Sequence, residues 1–474
     1  PLLIFELGAG SSRFSYYLLL ALTEVVALNR LELSAFQLIM TDFVEETIRS
    51  WLQNKQLKPY FESGFLDCMQ FDLQSHPSLL CLHSRKRLGL ENFEIPPFFI
   101  AHYVLDSLPI DAFRIKQGHL FAIHVSLGID KSSSYGKGDI RRLAFNKKLL
   151  KVSGPCYQDD DYNDLVHIAS QKIEDGYFDF PVAAFKLLDK LTEVTGGKYL
   201  FSCIDKGYSS WGCFRGGTFP SLFYHDNTFS FDFNFCLFDA YLKKKENHHL
   251  WIANDRQVIK WQVASCGVNM EDTPQIDRFA QITMEKNTPA DYMHLYSLAV
   301  TEEFDWPFDA LLSLLALSNW DPMLFMQASP SMISQTAEAS FDERSFLFSR
   351  FDIIEKNYFQ AVDSGDIYLM IGRFYHAAEM YEEAIAYFEK SKSVFGEGYA
   401  VYYALGKSHF SSGDSSTAMS MFAQAQKFQV TKQLKSWIEY FGKDYRQAKA
   451  KIDKKRQAKE KRKARKSEED EGEE

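Results

Sequence analysis

Residues Leu2–Phe14 pass from an apolar run, Leu2 to Phe5, through an acid and two close glycines, Glu6, Gly8 and Gly10, straight into a long helical pattern. That order is strand, tight turn, helix, the opening of a nucleotide-binding α/β unit. Gly8 and Gly10 carry no Cβ, so the backbone turns sharply there and a ligand can lie against it. The chain has no third glycine at this turn, and Ser12 stands in its place. Strand and helix signals keep alternating afterwards. Ser12–Asn29 predicts a helix, Phe36–Met40 a strand, Val44–Gln53 a helix, Phe65–Phe71 a strand and Phe98–Val104 a strand. Phe113–Val125 predicts a hairpin. This succession implies a mainly parallel sheet.

In a parallel sheet the ligand lies outside the carboxyl ends of the strands. An acid falls at each of four such ends: Glu6, Asp42, Asp72 and Asp106. The acid directly before the glycines points to S-adenosylmethionine (SAM), whose cationic amine a carboxylate can hold. On this reading Glu6, Gly8 and Gly10 hold the methionine end. Asp42 accepts the ribose hydroxyls, and Asp72 accepts the adenine amino group. Asp106 lies beside the reactive methyl, with His102 a second catalytic candidate that can accept a proton. His102 and Tyr103 are neighbours on one strand, so only one of them can face the site. A nicotinamide enzyme would want a third glycine and an acid about 20 residues beyond the turn, nearer than Asp42.

Four segments in order carry a family resemblance: Glu6–Gly10, Ile100–Pro109, Asp205–Tyr208 and Phe231–Phe235. Together they resemble the MidA-like SAM-dependent methyltransferases, a family that includes the complex I assembly methyltransferase of mitochondria. The likeness spans about residues 1–265. The stretch Ala101–Pro109 keeps the family's counterparts at His102, Asp106, Leu108 and Pro109. It carries Tyr103 where the family has Glu, and Asp205-Lys-Gly-Tyr where the family has Asp-Tyr-Gly. The resemblance implies a class I, Rossmann-like methyltransferase domain and methylation of protein arginine. A carboxylate can hold a guanidinium bidentately, whereas the Tyr103 phenol supplies no such charge.

From about Thr288 the signal is helical, and a spacing of about 34 residues emerges. It relates Tyr368 to Tyr402, Ile371 to Leu405, Gly372 to Gly406, Ala384 to Ala418 and Phe388 to Phe422. This is the tetratricopeptide (TPR) period, in which small residues let paired helices approach and aromatics fill the seam. Two repeats cannot bury both of their faces, so helices over Tyr292–Leu317 and Ser345–Val362 are expected to extend the stack, with Trp437 in a capping helix.

Arg446–Lys466 carries net +10 and is followed by six acids in Glu468–Glu474, which leaves the preceding chain at −14. So acidic a body disfavours nucleic acid, except through the basic tail. The seven cysteines form no CxxC pair, and His248-His249 has no ligand spacing, so neither a metal nor a disulfide framework is expected. No apolar run is long enough to span a bilayer. A cytoplasmic, reducing compartment is the expectation. The chain opens at Pro1, so upstream residues, and any targeting segment, are expected to lie outside it.

The expected organisation is a SAM-binding Rossmann-like core over 1–128 and an insertion plus the rest of the methyltransferase over 129–265. TPR-like helices over 288–443 and a charged tail over 444–474 complete it. The expected function is methyl transfer to a protein side chain, arginine first, with the TPR module recruiting the protein. The rival is an inactive methyltransferase-fold scaffold that works as a TPR adaptor.

Overall fold

The computed structural model describes residues 1–428 apart from 73–78, 137, 215–221, 226–227, 246–247, 254–258, 270, 272, 287–288, 301–305 and 362–363. Two units divide the chain, Pro1–Ser297 and Leu298–Glu474.

The first unit begins β1 (Leu2–Glu6), α1 (Arg13–Leu28), β2 (Phe36–Asp42), α2 (Glu45–Gln53), α3 (Lys58–Glu62), β3 (Leu66–Gln70) and β4 (Phe98–His102). It continues β5 (Asp111–Lys116), β6 (His119–Ile129), β7 (Leu143–Lys151), α4 (Asp160–Lys172), β8 (Gly176–Phe180), α5 (Val182–Thr195) and β9 (Tyr199–Tyr208). The remainder is β10 (Leu222–His225), β11 (Thr228–Phe231), β12 (Phe233–Asn234), α6 (Phe235–Lys244), β13 (His248–Ile252), β14 (Ile259–Cys266) and α7 (Pro274–Lys286). Helix α8 (Pro289–Val300) contains the division between the units.

Eight strands make the main sheet, in the order β13-β14-β9-β4-β1-β2-β3, with β12 also paired to β9. Strands β1, β2, β3, β4 and β9 run parallel, and β14 enters antiparallel beside β9. The sheet therefore draws on residues 2–102 and again on 199–266. Leu38 to Asp42 are buried in succession, the signature of a parallel strand covered on both faces. The core packs aromatic on aromatic, as where Phe5 stacks on Phe99 with ring centroids 4.9 Å apart. Chain order reverses between β1 and β4, which lie side by side, so a crevice opens outside their carboxyl ends.

A second, antiparallel sheet has the order β7-β6-β5-β8. The hairpin expected over Phe113–Val125 is the β5–β6 pair. The polar stretch from Ile129 to Tyr162 reads as an insertion or flexible connection, and it contains β7, paired with β6 from Phe121↔Lys151 to Ile129↔Leu143. Its residues from Asn146 to Lys151 are exposed, so the strand shows no burial-driven alternation.

The second unit is helical, with α9 (Phe308–Leu317), α10 (Pro322–Gln335), α11 (Phe341–Phe348), α12 (Phe351–Asn357), α13 (Ile367–Ala377), α14 (Tyr381–Phe395), α15 (Tyr399–Ser411) and α16 (Ser415–Phe428). Helices α10 and α13 start at side-chain caps. Asp321 accepts the Leu324 N–H at 2.7 Å, and Asp366 accepts the Leu369 N–H at 2.9 Å. Two expected helices are shorter than their patterns. Tyr292–Leu317 is not one helix, because α9 begins only after Pro307, which takes an extended backbone as its N-cap. Ser345–Val362 is divided between α11 and α12, and α12 ends at Asn357. Trp437 and the charged tail lie outside the described residues.

Gly372 on α13 faces the Phe388 ring on α14, and Gly406 on α15 faces Phe422 on α16. A Cβ built at these glycines would stand 2.5 Å and 2.6 Å from the rings, so the repeat spacing is two copies of one glycine–aromatic contact.

Candidate functional site

The turn after β1 is stitched to the strands on both sides. Leu7 N–H donates to the Ile100 carbonyl at 2.8 Å, and Ala9 N–H to the Thr41 carbonyl at 2.9 Å. The Thr41 hydroxyl returns a bond to the Glu6 carbonyl at 2.9 Å. Gly8 and Gly10 take φ of 68° and 49°. Both lie in the left-handed region, in which a Cβ is costly. Ser12 holds φ 60° as the N-cap of α1, so the serine in the third-glycine position adopts the turn itself. A Cβ on Gly8 would stand 3.0 Å from Val104 Cγ2, which fixes how closely the turn approaches the segment after β4.

Asp42 joins β2 to this turn. Its Oδ2 accepts the Gly10 N–H at 3.3 Å, and its Oδ1 accepts the Val44 N–H at 3.0 Å. The Trp51 indole N–H binds the Gly10 carbonyl at 2.8 Å, so both backbone groups of Gly10 are held from the β2–α2 side.

A cavity of about 360 Å³ opens at the carboxyl ends of β1 to β4. Its walls are Gly8, then Asp42 and Phe43, then Phe71 and Asp72, then Tyr103, Val104, Ser107 and Leu108. Volume and position suit a small-molecule site. Of the residues selected from sequence, Gly8, Asp42 and Asp72 meet on this wall, and Gly10 supports it through Asp42. Phe43 and Phe71 went unselected, although each stands directly beside a strand-end acid; Phe43 is 69% exposed and free to cover a planar ligand. Ser107 and Leu108 follow β4 by the same logic.

Glu6, His102 and Asp106 do not line the cavity. The Glu6 carboxylate is buried beneath α1 and accepts the Ser15 hydroxyl. Burial raises its pKa to about 8, and the Ser15 bond opposes that only in part. His102 lies edge-on to the Phe14 ring at 4.7 Å, and burial lowers its pKa to about 4, so the imidazole is neutral at pH 7. Its neighbour Tyr103 takes the cavity side instead. It sits at φ 54°, with its N–H on the Ile204 carbonyl at 2.8 Å.

Asp106 is paired with Asp205, a residue of β9 far along the chain from the turn it holds. Asp205 Oδ2 accepts the Leu105 N–H at 2.8 Å and the Asp106 N–H at 3.1 Å, and Oδ1 accepts the Lys206 N–H at 2.9 Å. Burial raises the pKa of both carboxyls; Ser230, Lys206 and His225 partly offset this at Asp106. Asp205 thus organises the turn after β4, and the Asp205–Tyr208 segment shows that signal in the sequence. Among the described residues no group of three His, Cys, Asp or Glu is arranged to hold a metal ion, and no helix is long and apolar enough to cross a membrane.

No curated protein is significantly similar to the chain. Among solved structures, a presumed methyl transferase from Burkholderia thailandensis, bound to S-adenosyl-homocysteine, aligns with 57% of this chain and 72% of its own, at 12% identity and a TM-score of 0.37. The tetratricopeptide-repeat family model matches residues 365–394, which span α13 and most of α14. The helical unit therefore carries a stretch of tetratricopeptide-repeat type, and it follows in sequence an α/β unit whose cavity gathers the ends of four parallel strands.

Proposed function

We propose that the first unit is a SAM-dependent methyltransferase domain of the class I, Rossmann-like kind, and that the helical unit recruits a protein substrate or partner to it. The observation that carries this reading is the cavity wall at the reversal of chain order, where Gly8, Asp42 and Asp72 come together. The strand order, with an antiparallel strand beside β9, supports the fold assignment. The residues suit the cofactor on structural grounds. The Gly8 turn leaves space that a Cβ would fill, and Asp42 is fixed by two backbone bonds with its carboxylate on the wall.

SAM supplies an electrophilic methyl group on a sulfonium. In this reading the Gly8–Gly10 turn seats the methionine end, and Glu6 contributes from beneath the turn. Asp42 accepts from the ribose, Asp72 accepts from the adenine amine, and Phe43 covers the base. Tyr103 and Ser107 wall the cavity, exclude water and align the incoming nucleophile, so rate comes mainly from orientation. Asp106 acts from behind the turn after β4, with His102 as a neutral neighbour. Arginine stands first among acceptors by the family resemblance. In this reading residues 1–128 and 129–265 together form the methyltransferase.

A second reading has its own observation. Tyr103 takes the wall position where the family has an acid, and neither Asp106 nor His102 lines the cavity. That favours a scaffold that retains the fold while the helical unit works as an adaptor. Calorimetric titration of the chain with SAM and S-adenosylhomocysteine, repeated on Gly8→Arg, tests the site. Binding that is lost in the variant, together with transfer of labelled methyl to captured protein, supports the enzyme. Binding without transfer supports the scaffold, and no binding sinks the enzyme reading and leaves the adaptor.

A further inference from the structure

Strand β6 leaves its partner β5 after Ala122 and continues beside β7 alone, from the Ile123↔Leu149 pair to the Ile129↔Leu143 pair. At about 3.4 Å per residue this two-stranded ribbon runs for about 20 Å. Residues directly opposite each other share a face, so Val125, Leu127 and Ile129 of β6 lie on one side with Phe145, Lys147 and Leu149 of β7. The rest of the unit covers only part of that side. Ile123 is buried, and the Phe145 ring stands edge-on to Phe229 of β11 at 6.0 Å. Leu127 is 63% and Ile129 65% exposed, and Val125 and Leu149 are exposed beside them.

Positive charge is concentrated in the same segment. Residues 116–151 carry 8 Lys and Arg against 2 Asp, within a body whose net charge is −14. Both acids are engaged in the loop that joins the strands. Asp139 pairs with Arg141 at 2.6 Å, and Asp130 accepts the Ser132 N–H at 2.8 Å. The ribbon thus joins an exposed aliphatic face to a cationic surround.

That combination restricts the partner. A second copy would bring two ribbons of like charge together, and lysines on an edge strand oppose pairing with another strand. Single-stranded nucleic acid is held by bases stacked on aromatic rings. The exposed residues here are aliphatic, and Phe145 is already engaged by Phe229. An anionic lipid surface meets both features, because the acyl boundary takes apolar side chains and the headgroups take cations. The Lys147 stem is long enough to hold its ammonium at the headgroups while its neighbours go deeper.

We infer that the β6–β7 ribbon docks the protein on an anionic membrane surface, with Leu127 and Ile129 entering the acyl boundary and the surrounding lysines and arginines on the headgroup anions. This is attachment to one leaflet and crosses no bilayer. It is independent of methyl transfer.

The test is sedimentation of the full chain with vesicles of phosphatidylcholine and phosphatidylserine, against vesicles of phosphatidylcholine alone. The chain sediments with the mixed vesicles, and added salt releases it. Leu127→Ser/Ile129→Ser leaves every charge in place and weakens binding by about tenfold or more. Lys147→Glu/Lys148→Glu weakens it by about as much. Leu127→Trp adds fluorescence that brominated acyl chains quench, a gain of signal that misfolding could not produce. SAM titration of these variants matches the parent, which separates this outcome from the fate of the methyltransferase reading. Binding that survives Leu127→Ser/Ile129→Ser and is lost on deletion of residues 446–474 overturns the inference in favour of the basic tail. Binding of polyuridylate in place of vesicles overturns it in favour of nucleic acid. Absence of binding, or equal binding to both kinds of vesicle, overturns it outright.

Discussion

The Asp42 carboxylate accepts the backbone N–H of Gly10, from the turn that precedes it in the chain, at 3.3 Å. One side chain thereby fixes the turn after β1 and presents an acceptor to the cavity. Asp42→Ala frees the amides of Gly10 and Val44 and removes that acceptor. The expected result is a loss of SAM affinity of about tenfold or more, with about 1.5–3 kcal/mol of stability, the usual size for a bond to a charged group. Asp42→Asn retains a carbonyl acceptor and is expected to lose affinity with less stability. Calorimetry and urea denaturation on the two variants check this, and equal affinity across the parent and both variants would remove Asp42 from the site.

Gly8 is constrained by its conformation and by its neighbour. Its φ is 68°. That region disfavours any L side chain by roughly 1–2 kcal/mol. Its Cβ would stand 3.0 Å from Val104 Cγ2, on the same cavity wall. Gly8→Ala is therefore expected to lower the melting temperature and weaken SAM binding together. Gly8→Ala with Val104→Ala relieves the contact but not the backbone cost, so it recovers part of the stability. Thermal melts of the two variants decide this, and a Gly8→Ala chain as stable as the parent contradicts it.

Glu6 sets a pH dependence of stability. Its pKa is about 8 in the folded chain against an ordinary 4.5, so between those values the folded state holds the proton more tightly. Stability from this group is full below about pH 4.5 and is lost as pH rises through 8. Glu6→Gln keeps an acceptor for Ser15 and removes the titration. Its stability is expected to match the parent in acid and exceed it above pH 8. Denaturation series across that range would show the two curves separating, and parallel curves would mean that Glu6 is ionised when folded.

The seam glycines allow a matched pair of substitutions. Gly372→Ala and Gly406→Ala place a methyl 2.5 Å and 2.6 Å from buried rings. Overpacking of this kind costs about 1–3 kcal/mol, more than the gain of up to about 1 kcal/mol in helix propensity. Both variants are expected to be destabilised to a similar degree, and Gly372→Ala with Phe388→Leu to recover part of the loss. Differential scanning calorimetry measures this directly, and stabilisation by either alanine would show that the rings do not press on those positions.

Much of the architecture is legible from local pattern. The Leu2–Phe14 order of strand, turn and helix specifies a parallel α/β opening, and strand-end acids follow from it because loops at that edge all face one crevice. The repeat spacing is legible for a similar reason: a glycine and an aromatic that must meet recur wherever the same two helices recur. The length of β7 was not legible, since an exposed ribbon lacks the burial that writes alternation into a strand. The break between α11 and α12 was also hidden, because apolar residues recur on both sides of it and Leu347 and Phe351 are both buried.

The sequence by itself determined the Gly8–Gly10 turn, the acids near it and the helical repeat, since each depends on residues close in the chain and on steric rules that act locally. Tertiary structure alone decided which of those residues meet. Tyr103 rather than His102 faces the cavity, because the chain leaves β4 after His102 and Tyr103 takes a left-handed φ of 54° with its N–H held by the Ile204 carbonyl of β9. Glu6 and Asp106 sit behind the wall, held by Ser15 on α1 and by Asp205 on β9. Leu127, Ile129 and Lys147 share one face only because β6 pairs with β7. Burial and pairing arise between segments far apart in sequence, and they set the charge and reach of every group in the cavity and on the ribbon.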